Sequence, residues 1–332
     1  MSCRVVIAET GDCFESRLDE SVLEAGLRQG IALKHECTFG GCGTCRVKLL
    51  EGRVQYDELP LALSPEEAEA GYALLCQAHA STDLVVSTGV HVQAAPARRC
   101  SAVVRGASAL TPDIVHLELE VEADEFAYLP GQYMNVLLPD GAHRSFSMAS
   151  TPQGNAVDFH VRRIPGGRFT DAALRDLTRG DRLDVEIPLG EFRFHAEDYR
   201  ELLMVATGTG LAPIKSILES LLGDDDCPPV ALYWGMRTEA DLYLADQIRS
   251  WTDRLYEFRF VPVLSRAGSS WSGRRGHVQD AVAKDITDLS GHSIYMCGSP
   301  LMIADAKRRF LAQGASMDHI YSDGFSFHHQ PA

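Results

Sequence analysis

Three cysteines fall within nine residues and a fourth follows far downstream, and this spacing constrains the chain more than any other feature. The run is His35-Glu-Cys37-Thr-Phe-Gly-Gly-Cys42-Gly-Thr-Cys45, with thirty residues before Cys76. Four residues separate the first pair and two the second, the spacing of a [2Fe–2S] cluster held by four thiolates. Two bridged irons need a tight loop on one side, with amides that reach the sulfurs. Gly40, Gly41 and Gly43 are expected to supply positive φ angles and close backbone approach there. A structural zinc site is the rival, but four-cysteine zinc sites usually present two paired knuckles. Cys37, Cys42, Cys45 and Cys76 are thus the expected metal ligands. Cys3, Cys13, Cys100 and Cys227 lack such surroundings and read as structural thiols.

Nine cysteines and a start, Met-Ser-Cys-Arg-Val-Val-Ile, without charged n-region or apolar h-region favour a reducing, cytoplasmic setting. No run approaches the roughly 20 apolar residues of a membrane-spanning helix. The formal charge of −15 argues against nucleic acid and anionic membrane surfaces as partners, because both require a basic face. Residues 1–92 carry 7 Lys/Arg against 14 Asp/Glu, about half of the acidic excess. Such a surface suits a basic protein partner as well as it suits plain solubility.

The pattern changes twice along the chain. Residues 1–93 open with a strand-like run, Arg4–Ala8, and an amphipathic helical stretch, Ser21–Gly30. Strands at Arg46–Leu50 and Leu84–Ser87 follow. Ala94-Ala-Pro-Ala-Arg-Arg99 reads as a linker. From 98 to 199 strand-like alternation dominates, at Ser101–Val104, Ile114–Val121, Tyr133–Leu138, Asp158–Arg162 and Arg182–Ile187. Turns at Pro130-Gly131, Pro139-Asp-Gly141 and Pro165-Gly-Gly167 predict a small antiparallel barrel or sandwich, with one short helix at Thr170–Leu177. From 200 to 332 nearly all-apolar strands alternate with helical stretches such as Pro213–Leu222, Asp241–Trp251 and Pro300–Gln313. That alternation predicts a parallel sheet covered on both faces.

On these residues the first segment resembles a plant-type ferredoxin, and the remainder resembles the ferredoxin-NADP reductase superfamily. The modular order resembles the single-chain reductases of bacterial oxygenase systems. The resemblance implies a multidomain chain: an α+β β-grasp ferredoxin domain (1–93), an antiparallel β-barrel FAD domain (98–199) and an α/β parallel-sheet NAD(P) domain (200–332).

Arg144-Ser145-Phe146-Ser147 matches the R-x-[YF]-S signature of that superfamily. A guanidinium offers a forked donor for a diphosphate, an aromatic ring can cover a cofactor ring, and a hydroxyl can reach flavin N5. His160-Val-Arg162-Arg163-Ile-Pro-Gly166-Gly167-Arg168-Phe-Thr170 resembles the second flavin element, whose glycines and hydroxyl receive the pyrophosphate. Two phosphate-reading elements favour FAD over FMN. Thr207-Gly208-Thr209-Gly210-Leu-Ala-Pro213 lies between an expected strand and helix, where amides and the helix dipole hold a pyrophosphate. Pro213 stands where the usual G-x-G-x-x-G has its third glycine, in keeping with the superfamily's T-G-x-A-P form. The Cys297-Gly298 pair resembles the superfamily's approach to the nicotinamide C4, which with Ser147 marks the reacting centre. Asp323-Gly-Phe325 resembles a terminal motif that packs near the flavin. Ser265-Arg266 resembles the 2′-phosphate site of the NADPH-using branch and Arg237 is placed to face the adenosine, while the oxygenase-type reductases usually prefer NADH, the donor expected here beside NADPH.

The implied function is a monomeric reductase that takes electrons from NADH and passes them singly to a terminal oxygenase, foremost a Rieske aromatic ring-hydroxylating dioxygenase. Reductases of di-iron or P450 monooxygenases and CDP-6-deoxy-3,4-glucoseen reductase share the modular order. A non-catalytic electron carrier or zinc-bearing interaction module is the alternative from another class.

Overall fold

Period-two burial in the first strand sets the pattern of the N-terminal part: Val5 and Ile7 point into the core while Arg4 faces out. The computed structural model describes residues 2–31, 33–35, 37–41, 43–88, 97–124, 126–196 and 198–325. These fall into two compact units. One is built on the described residues of Met1–Gln93 with Ser299–Arg308 and Ser322–Ala332, the other on those of Ala94–Gly298 with Arg309–Tyr321.

The first unit contains β1 (Ser2–Ile7), β2 (Cys13–Arg17), α1 (Val22–Arg28), β3 (Arg46–Glu51), β4 (Val54–Gln55), α2 (Pro65–Glu69), β5 (Tyr72–Leu74), β6 (His79–Ala80) and β7 (Leu84–Ser87). Its main sheet runs β2-β1-β7-β3-β5, with β1 and β7 parallel at the centre. Helix α1 starts where expected because Ser21 Oγ accepts the Glu24 amide and the Glu24 carboxylate accepts the Ser21 amide in return. It buries Val22, Leu23 and Ala25. The mixed sheet and its helix form the anticipated α+β ferredoxin domain.

The second unit opens with β8 (Arg98–Thr111), β9 (Ile114–Val121), β10 (Tyr133–Leu137), β11 (His143–Ser147), β12 (Ala156–Arg162), α3 (Leu174–Asp176) and β13 (Arg182–Leu189). Ala94, Ala95 and Pro96 of the expected linker lie outside the described residues, and β8 already begins at Arg98. The antiparallel order is β11-β10-β13-β8-β9-β12. Among the described residues no continuous ladder joins β11 to β12. The two edges meet at a single bridge, Met148 to Phe159, so the sheet curls toward a barrel without full closure. Phe159, Val161, Met134 and Phe169 fill its interior. The helix expected at Thr170–Leu177 is instead a π-type turn over Arg168–Ala173 followed by the short α3. The Asp171 carboxylate accepts the Gly166 amide and ties that turn to the glycine pair before it.

The same unit continues with β14 (Glu201–Thr207), α4 (Leu211–Ser220), β15 (Val230–Met236), α5 (Ala245–Arg249), β16 (Arg259–Leu264), β17 (Arg274–Arg275), α6 (Val278–Asp285) and β18 (His292–Gly298). The chain then forms α7 (Pro300–Ala312) and β19 (Ile320–Gly324). The strand order β17-β16-β15-β14-β18-β19 reverses direction beside β14. That strand pairs in parallel with both β15 and β18, and ligands gather at such switch points. Asp241–Trp251, read as one helix, is split: a 3-10 turn at Glu239–Asp241 ends at Asp241, and α5 begins only at Ala245. Leu242 leaves helical backbone with ψ 60°, and the half-buried Tyr243 hydrogen-bonds His160.

Candidate cluster, flavin and nicotinamide sites

The β3–β5 ladder explains how thirty intervening residues still return Cys76 to the cysteine loop. Arg46 pairs with Leu74, and the Leu75 amide donates to the Cys45 carbonyl at 3.1 Å. Cys37, Cys45 and Cys76 are all buried, and Cys42 lies outside the described residues. The Gly41 amide donates to Cys37 Sγ at 3.2 Å, and Gln77 Nε2 donates to the carbonyls of Thr38 and Cys76. An amide aimed at a buried cysteine sulfur fits a cluster thiolate. Gly40 and Gly43 take positive φ as expected. Gly41 does not, whereas Thr38 does at φ 56°; a methyl on Gly41 would meet the Phe39 ring at 2.6 Å. Tyr56, near Cys45 and Cys76, has its hydroxyl pushed up to about 12 by burial.

The first flavin element occupies β11. Arg144 is half-buried and its guanidinium donates to the His143 carbonyl; Ser145 Oγ donates to Asn135 at 2.7 Å. The Phe146 ring leans on Phe169 with centroids 5.4 Å apart, and Ser147 is buried at the strand end. In the second element, Gly166 has φ +74°, and a methyl on Gly167 would collide with Thr170 Oγ1. Arg163 Nε is buried without a hydrogen-bond partner among the described residues, and Arg162 Nε, likewise buried, makes only a 3.5 Å ion pair with Asp113 Oδ2. Buried guanidinium edges are costly unless an acceptor meets them, so this element fits a diphosphate.

The nicotinamide turn packs backbone against backbone. A Cβ on Gly210 would lie 2.3 Å from the Cys297 carbonyl oxygen, and one on Gly298, at φ +137°, would lie 2.2 Å from Thr207 Oγ1. Only glycine permits that approach, and it sets Thr207–Gly210, Pro213 at the start of α4, and Cys297-Gly298 side by side. Thr209 is half-buried and Cys297 fully buried. The turn stands at the N-terminus of the ten-residue α4, which fits a pyrophosphate. Past the ladder, the Ser265 amide donates to the Met236 carbonyl and the Arg266 amide to the Arg237 carbonyl, so Arg237, Ser265 and Arg266 are brought together. Phe325 is half-buried just after β19.

Between the flavin and nicotinamide elements lies a polar network that sequence reasoning missed. Trp234 Nε1 donates to the Gly208 carbonyl at 3.0 Å, the Trp234 and Tyr243 rings meet edge to face, and Tyr243 shares a hydrogen bond with His160 Nδ1 at 3.1 Å. Burial first, then the Lys215 cation, pushes His160 far below its ordinary value, so the ring stays neutral. Asp158 binds His116 Nε2 at 2.8 Å and the Ser150 hydroxyl. That bond raises His116 against the opposing effect of burial. Burial works to raise Asp158, yet hydrogen bonds from His116 and Ser150 outweigh it and lower the carboxyl. Arg162 sits over the turn: a methyl on Gly208 would meet its guanidinium at 3.9 Å.

Three family models match in chain order: a 2Fe-2S iron-sulfur cluster binding domain over 5–81, an oxidoreductase FAD-binding domain over 102–194 and an oxidoreductase NAD-binding domain over 204–308. The chain belongs to the family of iron–sulfur flavoprotein reductases that carry these three domains in one polypeptide, and it is an NAD(P)H oxidoreductase. It is 32% identical to a CDP-6-deoxy-L-threo-D-glycero-4-hexulose-3-dehydrase reductase of Yersinia pestis, over 98% of this chain and 99% of that protein. It is 31% identical to reductase component 1 of a terephthalate 1,2-dioxygenase of Comamonas sp, over 98% of each. An Amycolatopsis cytochrome P450 reductase structure superposes with TM-score 0.72 at 33% identity, covering 97% of this chain and 98% of that one.

Proposed function

We propose that this protein is the NADH-oxidising reductase of an oxygenase system, with a Rieske aromatic ring-hydroxylating dioxygenase as its electron acceptor. The observation that carries the catalytic reading is Arg162 of the second flavin element packed over Gly208 of the nicotinamide turn, so that the two cofactor sites adjoin. When bound, the nicotinamide supplies an electron pair, the flavin divides it, and the cluster releases single electrons.

The chain's own residues hold and orient these groups. Cys37, Cys42, Cys45 and Cys76 ligate the cluster. Arg144, His160, Arg162, Gly166, Gly167 and Thr170 line the FAD site; Phe146 covers the ring and Ser145 braces the strand. Ser147 donates at the reactive edge. Thr207, Gly208, Thr209, Gly210 and Pro213 receive the nucleotide phosphates, while Cys297 and Gly298 close on the nicotinamide and Phe325 on the flavin. Arg237, Ser265 and Arg266 face the adenosine ribose.

Similarity to a terephthalate dioxygenase reductase and to a P450 reductase supports an oxygenase as acceptor. Similarity to the hexulose dehydrase reductase supports a sugar-dehydrase acceptor as the second reading. Phe39, Leu59 and Leu61 are exposed apolar side chains beside the cysteine loop, since Gly40 packs against Pro60. With Asp57 and Glu58 adjoining, this face suits a partner that offers an apolar centre and a basic rim. The protein acts as a cytoplasmic monomer in this reading; among the described residues no helix is long and apolar enough to cross a membrane.

Reconstitution tests the proposal: purified reductase, NADH and a Rieske oxygenase should yield dihydroxylated aromatic product. Turnover only with a 4-hexulose-3-dehydrase would transfer the function to the second reading.

A further inference from the structure

Lys215 is a charged residue inside α4, a helix on which every residue from Leu211 to Leu218 is buried. Its side chain is 92% buried, because the exposed share is only 8%. Its Nζ donates to the Ala149 carbonyl at 2.7 Å and pairs with Glu219 at 2.8 Å. The neighbouring Ser216 Oγ donates to the Ser150 carbonyl, which also accepts from Tyr128 at 2.8 Å. Both receiving carbonyls lie just past Ser147, on the segment that bridges β11 to β12. Both donors stand on α4, the helix that begins directly after the Thr207–Gly210 turn.

A buried ammonium is a poor source of net stability, since desolvation offsets most of its attraction, and a methionine of similar length would fill the space at no such cost. What the ammonium and the hydroxyl do supply is direction. Two donors on consecutive residues grip two consecutive carbonyls, which fixes both the distance and the rotation between α4 and the segment after Ser147.

We infer that Lys215 and Ser216 are positioning residues that lock the nicotinamide turn to the flavin strand and so set the approach of nicotinamide to flavin. This rests on the reductase reading above. Neither residue touches a reacting atom; they act through Ala149 and Ser150 on one side and the start of α4 on the other. An approach error of about 1 Å costs on the order of 100-fold in rate, so a loosened clamp shows in the reductive step rather than in cofactor occupancy.

The test uses the FAD-loaded full chain, with Lys215→Met and Ser216→Ala compared by stopped-flow bleaching of the flavin at saturating NADH. Lys215→Met should lower the limiting rate by about 10- to 100-fold with little change in the NADH dissociation constant, and Ser216→Ala by a few-fold. Amide hydrogen exchange at residues 148–150, measured also without flavin, should accelerate in both. If Lys215→Met fails to fold, Ser216→Ala carries both readouts. A wild-type limiting rate, or unchanged exchange at 148–150, would overturn the inference, as would a variant that only melts earlier. Wild-type protein that NADH does not bleach would instead sink the reductase reading itself.

Discussion

Replacing Gly210 with alanine adds one methyl group at the tightest junction of the nicotinamide site. Gly210 has φ −59°, which alanine adopts freely, so the perturbation is purely steric. The new Cβ would lie 2.3 Å from the Cys297 carbonyl oxygen, 2.6 Å from its carbon and 2.8 Å from the Gly298 nitrogen. All three are backbone atoms of β18 and its end, so no side chain can swing away. Ordinary contact begins near 3.5 Å, and relief therefore requires the turn and β18 to part by about 1 Å. Overpacking of this kind costs about 1–3 kcal/mol of stability, and a displacement of that size at a reacting site costs on the order of 100-fold in rate. Gly291→Ala is the control, because a Cβ there meets nothing within 4 Å and its φ lies outside the positive range. Urea unfolding and NADH-dependent dye reduction would be measured on both. G210A indistinguishable from G291A in both assays would refute the packing of the turn against Cys297.

Cys76→Ser should abolish iron loading and delivery to an acceptor protein while NADH still bleaches the flavin, as read by metal analysis and stopped-flow absorbance. Arg266→Glu should lower kcat/KM for NADPH by about 10- to 100-fold, the worth of a lost charged hydrogen bond, and leave that for NADH nearly unchanged in steady-state assays. His116 has a raised folded-state pKa, so its pairing with Asp158 contributes stability that is complete below about 6.5 and fades as pH rises through the folded value. Melting temperatures of wild type and His116→Gln should therefore differ most at mildly acidic pH and converge in alkali. Electron delivery to the acceptor should slow as salt rises, because attraction between an acidic face and a basic partner is screened within about 10 Å; flat salt dependence in partner kinetics would remove the docking face.

What could be read in the sequence was local. The cysteine spacing, the R-x-[YF]-S run and the glycine turn each lie within a dozen residues, and spacing alone expresses their chemistry. Cys76, distant in sequence, is returned toward Cys45 by the β3–β5 ladder and the Leu75-to-Cys45 backbone bond beside it, an approach that spacing alone does not express. The His116, Asp158, His160, Lys215 and Tyr243 network was not legible, since its members come from β9, β12, α4 and the loop before α5 and carry no periodicity in common. Tyr243 also marks where a helix boundary failed: it stands between a 3-10 turn at Glu239–Asp241 and the start of α5 at Ala245, and its hydroxyl bonds His160, a partner distant in sequence. In the cysteine loop the left-handed backbone expected at Gly41 falls on Thr38 instead, at φ 56°, a position where residue type carries no signal of it.

One chain carries both a two-iron cluster domain and a flavin domain that NADH is expected to reduce. Protein purified without added cofactor and analysed for iron, acid-labile sulfide, zinc and flavin tests it directly. Two irons, two sulfides and one FAD per chain, with the visible spectrum bleached by NADH, are predicted. A colourless protein with bound zinc and no response to NADH would contradict an iron–sulfur flavoprotein.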